Sequence, residues 1–267
     1  MIKFFRHIRK SLIKENKMGK YFKYAIGEII LVVIGILIAL SLNNWKNYQD
    51  DRTEEQILLH NLQQEFTKNL NELHSDHKIN LGTLEASHYF LETDLHTKTP
   101  KQIDSIIGRL SMYATFDPSI GYINQAISAG KLDLIQSDSL KIHLSRWSGE
   151  LNDLKEDVIV RREHFLNHLL PVIRKHIPER NSDATQERPD YQRHMQISPI
   201  TVPDENYAEF ITSLEVDGVI YDHYMNQYFV FINEENIELY IKRVLELLSN
   251  ELDSNNESTT LNNDKGF

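Results

Sequence analysis

LHNLQQEFTKNLNELHSDHKINLGTLEASHYFLETDL, residues 59–95, returns an apolar or aromatic side chain at every third or fourth position: Leu59, Leu62, Phe66, Leu70, Leu73, His77, Leu81, Leu84, His88, Leu91 and Leu95. That spacing follows the 3.6-residue period of an α-helix with one face to bury. It predicts a helix that begins between Asn43 and Asp51, bends at Gly82, ends near His96 and runs for roughly 80 Å. His77 and His88 fall inside the stripe. Packing in the core is the first reading for both, and a half-buried imidazole that responds to pH is the second.

Downstream, the signals for helix repeat. Thr99-Pro100-Lys101-Gln102 offers an N-cap, a proline at the first helical position and a glutamine at the capping-box site, opening a helix that turns Ile103, Ile106, Ile107 and Leu110 inward. Asp117-Pro118 is expected to start a short helix that Gly130 ends in the C′ position. Ser137 caps a long helix with Leu140, Leu144, Trp147, Leu151, Leu154, Val158, Phe165, Leu169 and Val172 at near-heptad spacing, kinked by Pro171. Residues 178–204 carry four prolines among polar residues and read as a long loop. A last helix is expected from Gly218 to Leu252 on Tyr221, Tyr224, Tyr228, Ile232, Leu239, Val244 and Leu248, followed by a polar, disordered tail over 253–267. The fold class is all-α: a bundle-like domain of long helices.

Upstream lies the most apolar stretch of the chain. From Ile29 to Leu42 no residue is charged and eleven of fourteen are Ile, Leu or Val. On the insertion scale they contribute about -3 to -6 kcal/mol, and a helix over 24–45 rises about 33 Å, enough for a hydrocarbon core of about 30 Å. Tyr21, Phe22 and Tyr24 on one side and Trp45 and Tyr48 on the other supply the interfacial aromatics. Residues 1–23 hold eight Lys or Arg against the single acid Glu15, a net of +7, whereas the chain as a whole is at -10. The positive-inside rule therefore sets 1–23 in the cytoplasm and residues 46–252 outside it. A cleaved signal peptide ending near Ala39-Leu40-Ser41 would need a shorter basic region and a shorter apolar one. Ile2, Phe5, Ile8 and Leu12 recur at helical spacing among the basic residues, as in a helix lying on an anionic leaflet.

Composition narrows the function. The net charge opposes nucleic-acid binding, which needs concentrated Lys and Arg. The absence of cysteine removes disulfides, thiol nucleophiles and thiolate metal sites. With only 10 glycines the chain carries no phosphate-cradling loop motif, no nucleophile elbow and no H-E-x-x-H.

Lys3-Phe4-Phe5-Arg6, Glu15-Asn16-Lys17, Tyr24-Ala25-Ile26-Gly27-Glu28-Ile29, Val32-Val33-Ile34-Gly35-Ile36-Leu37-Ile38-Ala39-Leu40 and Asn44-Trp45 closely resemble an uncharacterised family of single-pass membrane proteins of Bacteroidota with a domain of unknown function. Ile127-Ser128-Ala129-Gly130-Lys131-Leu132, with Ile135 and Leu140, is similar to a second, weaker feature of that family. The resemblance implies an inner-membrane protein of a diderm bacterium with its main domain in the periplasm. It supplies no catalytic residues.

Candidate chemistry is sparse. His164 and His168, at i and i+4, could give two zinc ligands, but no third is identified, and they also simply flank Phe165. His74, Asp76 and His77 cluster more tightly, with His77 in the apolar stripe. The Ser-x-x-Lys matches at Ser75-Lys78 and Ser128-Lys131 lack companion motifs. No catalytic residue, cofactor or metal site is expected. Gly35 and Ala39 have the small-x-x-x-small spacing that packs transmembrane helices, so self-association is expected. The function expected is a membrane-anchored scaffold or interaction protein with an unidentified protein partner. The alternative is a signal-transmitting module coupled to a separate cytoplasmic or membrane partner.

Overall fold

Side-chain caps at Thr99 and Ser137 open two of the helices, and apolar stripes on the long helices hold the rest together. The computed structural model describes residues 18–186 and 197–263; among these all regular structure is helical and no strand occurs. The expectations for residues 1–17 and for the middle of the 178–204 segment lie outside the described residues. The chain divides into two compact units after Ile57.

The first unit is the amino-terminal part of α1 (Met18–Glu92). Its most apolar 18-residue window has a mean hydropathy of 2.7 and none of it is buried. The Ile, Leu and Val side chains from Ile29 to Leu42 are each at least 47% exposed. Leaving one such side chain in water forgoes about 1.5–3 kcal/mol of burial, so this long apolar helix is a candidate membrane span. No separate helix begins between Asn43 and Asp51. The stretch Asn43-Asn44-Trp45-Lys46 has neither Gly nor Pro to stop a helix, and α1 runs through it. The helix also continues through Gly82, where glycine costs only about 1 kcal/mol.

The second unit holds the rest of α1 and then α2 (Pro100–Leu110), α3 (Gly121–Ser128), α4 (Asp138–His164), α5 (Leu170–His176), α6 (Glu179–Asp183), α7 (Asp204–Thr212) and α8 (Leu214–Asn263). The local signals set several of these ends. The Thr99 hydroxyl accepts from Gln102 N–H while Gln102 Oε1 accepts from Thr99 N–H at 2.9 Å, the expected capping box. Ser137 caps α4, and Gly130, at φ 67°, takes the left-handed turn after α3. Several predicted boundaries shift. α3 starts at Gly121, not at Pro118, because its amino end is held by a carboxylate from α1. Glu65 Oε1 accepts from Tyr122 N–H and Oε2 from Ile123 N–H, both at 3.0 Å, and Asn69 brackets Ser119 with two hydrogen bonds of 2.8 Å. The 178–204 segment is not all loop, since α6 lies within it and Asn181 holds Ile200 through its amide and carbonyl at 2.8 and 2.9 Å. α8 runs from Leu214, ahead of the expected Gly218, to Asn263, past the tail expected from Asp253, and neither Gly nor Pro occurs between Asp253 and Asn263.

Pro171 is accommodated by a specific device. Between α4 and α5 the helix widens into a π turn over Phe165–Leu169, and Leu170 N–H reaches Phe165 O five residues back. The prolyl ring displaces the carbonyl four residues before it, and the wider turn absorbs that displacement.

Two apolar clusters fill the unit. One gathers Leu59, Leu62, Phe66 and Leu73 of α1, Leu140, Leu144, Trp147 and Leu154 of α4, and Val230, Ile237, Ile241, Val244 and Leu248 of α8. The other gathers Ala86 and Phe90 of α1, α2, the π turn and α5, Tyr207 and Phe210 of α7, and Val216 and Ile220 of α8. Running the sequence forward, α1 and α4 pass from the first cluster to the second and α8 passes back.

In the stripe of α1, Leu59, Leu62, Phe66 and Leu73 are buried as predicted and Leu70 is half-buried. Beyond His77 the buried face turns: Asn80, Thr83, Ala86, Ser87 and Phe90 go inward, while Leu81, Leu84 and Leu91 are half-buried and His88 is exposed. α8 also differs. Tyr221, Tyr228 and Leu239 are exposed, and the face that packs is Val216, Ile220, His223, Gln227, Val230, Glu234, Ile237, Ile241, Val244, Leu248 and Leu252.

Candidate functional site

Where each long helix passes from one apolar cluster to the other, its buried positions become polar. α1 contributes His77, Asn80, Thr83 and Ser87, α4 contributes Arg161, and α8 contributes His223, Gln227 and Glu234. Asn80, Ser87, Arg161, His223 and Gln227 are at 0% exposure and Glu234 at 1%. Burying such groups unpaired costs several kcal/mol each, and all but Arg161 Nε and His223 Nδ1 among their buried polar atoms find partners.

Asn80 is the hub. Its Nδ2 donates to Glu234 Oε1 at 2.5 Å and to Ala114 O at 3.3 Å; its Oδ1 accepts from Ala114 N–H at 3.0 Å and from Arg161 Nη1 at 3.1 Å. Both donors and both lone pairs of the amide are thus used. Arg161 spreads its charge further: Nη1 donates to Gln227 Oε1 at 3.3 Å and Nη2 to Ala114 O at 2.8 Å, and the guanidinium carbon lies 5.0 Å from the Tyr113 ring centroid. Gln227 Nε2 donates to Asn80 O at 3.1 Å. Thr83 donates to Met112 O, and Ser87 to Thr83 O at 2.9 Å.

His77 connects this network to solvent. Its Nδ1 lies 3.0 Å from Glu234 Oε2 and its ring stacks on Phe231 at 4.4 Å, with 19% of the side chain exposed. An ionised Glu234 carboxylate only accepts, and in that state Nδ1 is the donor of the pair. Burial pushes Glu234 upward, while His77, Asn80 and Arg161 pull the other way. Burial lowers Arg161, and Glu234 and Tyr113 oppose it. His223 donates from Nε2 to Leu110 O at 2.9 Å, and burial pulls its pKa down to about 4.

The histidines singled out in the sequence separate by environment. His164 and His168 stack at 5.5 Å, and His164 also stacks on His223 at 6.1 Å. His164 directs Nε2 to Val219 O at 3.0 Å, which occupies one of its two possible metal-binding nitrogens. Among the described residues no group of three or more His, Asp or Glu is arranged to hold a metal. His74 pairs with Glu238 at 3.1 Å, and Asp76 is raised by burial and by Glu72. Sequence reading did not find Asn80, Arg161, Gln227 and Glu234. The signal was there: Arg161 sits three residues after Val158 and four before Phe165, at a position where the apolar stripe of α4 skips a step.

These features define an all-helical protein with a candidate membrane span and, in its second unit, a bundle divided by a buried ionic layer. The chain belongs to a family of unknown function, DUF6090, whose model matches residues 28–164, a little over half its length. The match takes in the apolar span and the α1 and α4 residues of the layer, and stops before α5–α8. No curated protein and no solved structure matches the chain.

Proposed function

We propose that the protein is an inner-membrane interaction or scaffold subunit, anchored by residues 24–45, with its amino terminus in the cytoplasm and residues 46–252 in the periplasm, acting by binding rather than catalysis. The observation that carries this reading is the run from Ile29 to Leu42: uncharged, exposed along its whole length, and preceded by a basic segment of net charge +7. Binding is supported by large aromatic side chains left open on α8, with Tyr221 52%, Tyr228 40% and Phe229 51% exposed. A second reading, a module that passes a signal to a separate partner, draws support from the ionisable His77–Glu234 pair at the edge of the buried layer.

A reporter active only outside the cytoplasm, fused after residue 50, is expected to be active, and a strictly cytoplasmic reporter at the same junction silent. The reverse pattern removes the periplasmic placement. Crosslinking in native membranes followed by affinity isolation is expected to recover a defined partner, and recovery of none removes the interaction reading.

A further inference from the structure

Three imidazoles form a row that runs from solvent into the bundle where α8 meets the π turn. His168 in the π turn is exposed, His164 at the end of α4 is half-buried, and His223 of α8 is fully buried. Adjacent rings stack, His168 on His164 with 24° between their planes and His164 on His223 with 19°. Two backbone carbonyls settle where the hydrogens sit. His164 Nε2 lies 3.0 Å from Val219 O and His223 Nε2 lies 2.9 Å from Leu110 O. A carbonyl only accepts, so each Nε2 carries the hydrogen and a second proton must enter at Nδ1. For His223 that atom is sealed from water and has no hydrogen-bond partner among the described residues.

The surroundings offer that proton no counter-charge. Among the described residues the histidines ion-paired to a carboxylate are His74, His77 and His176, and none of them is in the row. On α4, Arg161 is fully buried one turn before His164, while Arg162 and Glu163 are exposed. On α8, Asp222 is exposed, Glu215 pairs with Lys175 of α5 at 2.6 Å, and Glu234 is held by His77 and Asn80. From α2 the row meets the Leu110 carbonyl, and Arg109 lies 4.0 Å from Glu85 of α1. His88 of α1 is exposed beside Tyr224, and the Tyr113 ring stands against Phe165 at 5.6 Å. Burial, with His164 and Arg161 adding to it, therefore holds the His223 pKa down at about 4.

We propose that the row is an acid-operated latch: a proton taken up at His223 parts the Val219–His223 segment of α8 from the π turn while the first apolar cluster stays closed. The latch needs no partner and stands apart from the interaction reading above. A π turn is a suitable release point, since such turns recur where helices do functional work. Opening lets His223 take its proton at the ordinary histidine value of about 6.5, and closing expels it. The opening equilibrium then rises about 30-fold from pH 7.5 to pH 5.

The test is amide hydrogen exchange of the full chain in nanodiscs, read by peptide mass spectrometry from pH 7.5 to 5 and corrected for the intrinsic pH dependence of exchange. Protection over 165–169 and 219–223 is expected to fall about 30-fold, and at pH 5 to lie at least tenfold below protection over 144–154, in the first apolar cluster. His223→Gln, which keeps an amide donor for Leu110 O, is expected to reduce the fall to less than threefold. His77→Gln should leave it in place. Equal protection of 165–169, 219–223 and 144–154 at pH 5 means that the bundle opens only as a whole, and overturns the latch; this comparison needs the unaltered chain alone and decides the matter even if His223→Gln does not fold. A fall that persists in His223→Gln, or one removed by His77→Gln instead, overturns it as well.

Discussion

Arg161 is a guanidinium sealed from water between Asn80, Gln227, Ala114 and the Tyr113 ring. Truncating one member of such a network leaves the others buried and unpaired, which costs about 3–5 kcal/mol. Arg161→Ala is therefore expected to lower the unfolding free energy by that amount in chemical denaturation. Adding Glu234→Gln should cost less than the sum of the two single changes, because the carboxylate no longer needs the cation; strict additivity would mean the two do not communicate. His223 gives the layer a pH dependence. Its folded pKa, about 4, lies below the ordinary histidine value of 6.5, so the unfolded chain binds the extra proton first as pH falls. Its contribution is whole above pH 6.5 and is lost on the way down to 4, roughly 3 kcal/mol in all. Glu234 works in the opposite direction: its raised pKa makes the folded state hold a proton that the unfolded state has released, so its ionisation costs stability as pH rises above the ordinary glutamate range. His223→Gln is expected to flatten the loss of stability between pH 6.5 and 4 relative to the unaltered chain, and an unchanged slope would remove His223 from the account.

Among the elements, what the sequence disclosed depended on whether local chemistry decided the outcome. The α2 cap was legible because Thr99, Pro100 and Gln102 act within one turn. The amino end of α3 was not, because Glu65, more than fifty residues earlier, supplies its acceptors. On α8 the tyrosines suggested the wrong face. The buried face repeats at near-heptad spacing from Val216 to Leu252 but carries His223, Gln227 and Glu234, and a reading that equates burial with apolarity passes over those positions. The same assumption hid Asn80, Thr83 and Ser87 and assigned Leu81 and Leu84 to the core. The corrected faces can be checked by a matched pair. Leu62→Asp, at 0% exposure, is expected to cost several kcal/mol, because it buries a charge in the first apolar cluster. Leu239→Asp, at 66% exposure, should stay within about 0.5 kcal/mol. Comparable losses at both positions would restore the tyrosine face of α8 to the core.

For the molecule as a whole, the candidate span makes two further claims that can be measured. The mature protein should keep residues 1–41 by intact mass, since an anchor is retained where a signal peptide is removed. In detergent, a concentration-dependent dimer is expected in sedimentation, weakened by Gly35→Ile with Ala39→Ile while the helical domain keeps its unfolding midpoint. A monomer at every concentration ends the self-association hypothesis. The buried ionic layer has its own consequence at this scale, and it concerns register. α1, α4 and α8 carry apolar residues at near-heptad spacing, and sliding one helix by seven residues would again set apolar against apolar. One axial alignment brings Asn80, Arg161, Gln227 and Glu234 to the same level; a slip would leave a guanidinium facing leucines. The layer thus trades stability for a single alignment, as one buried polar residue does in a coiled coil. Replacing Asn80, Arg161 and Glu234 together by Leu, Met and Met is expected to hold or raise the denaturation midpoint. The same triple change should broaden the amide NMR spectrum as the helices exchange between alignments, whereas one sharp set of resonances would show that something other than the ionic layer locks the bundle.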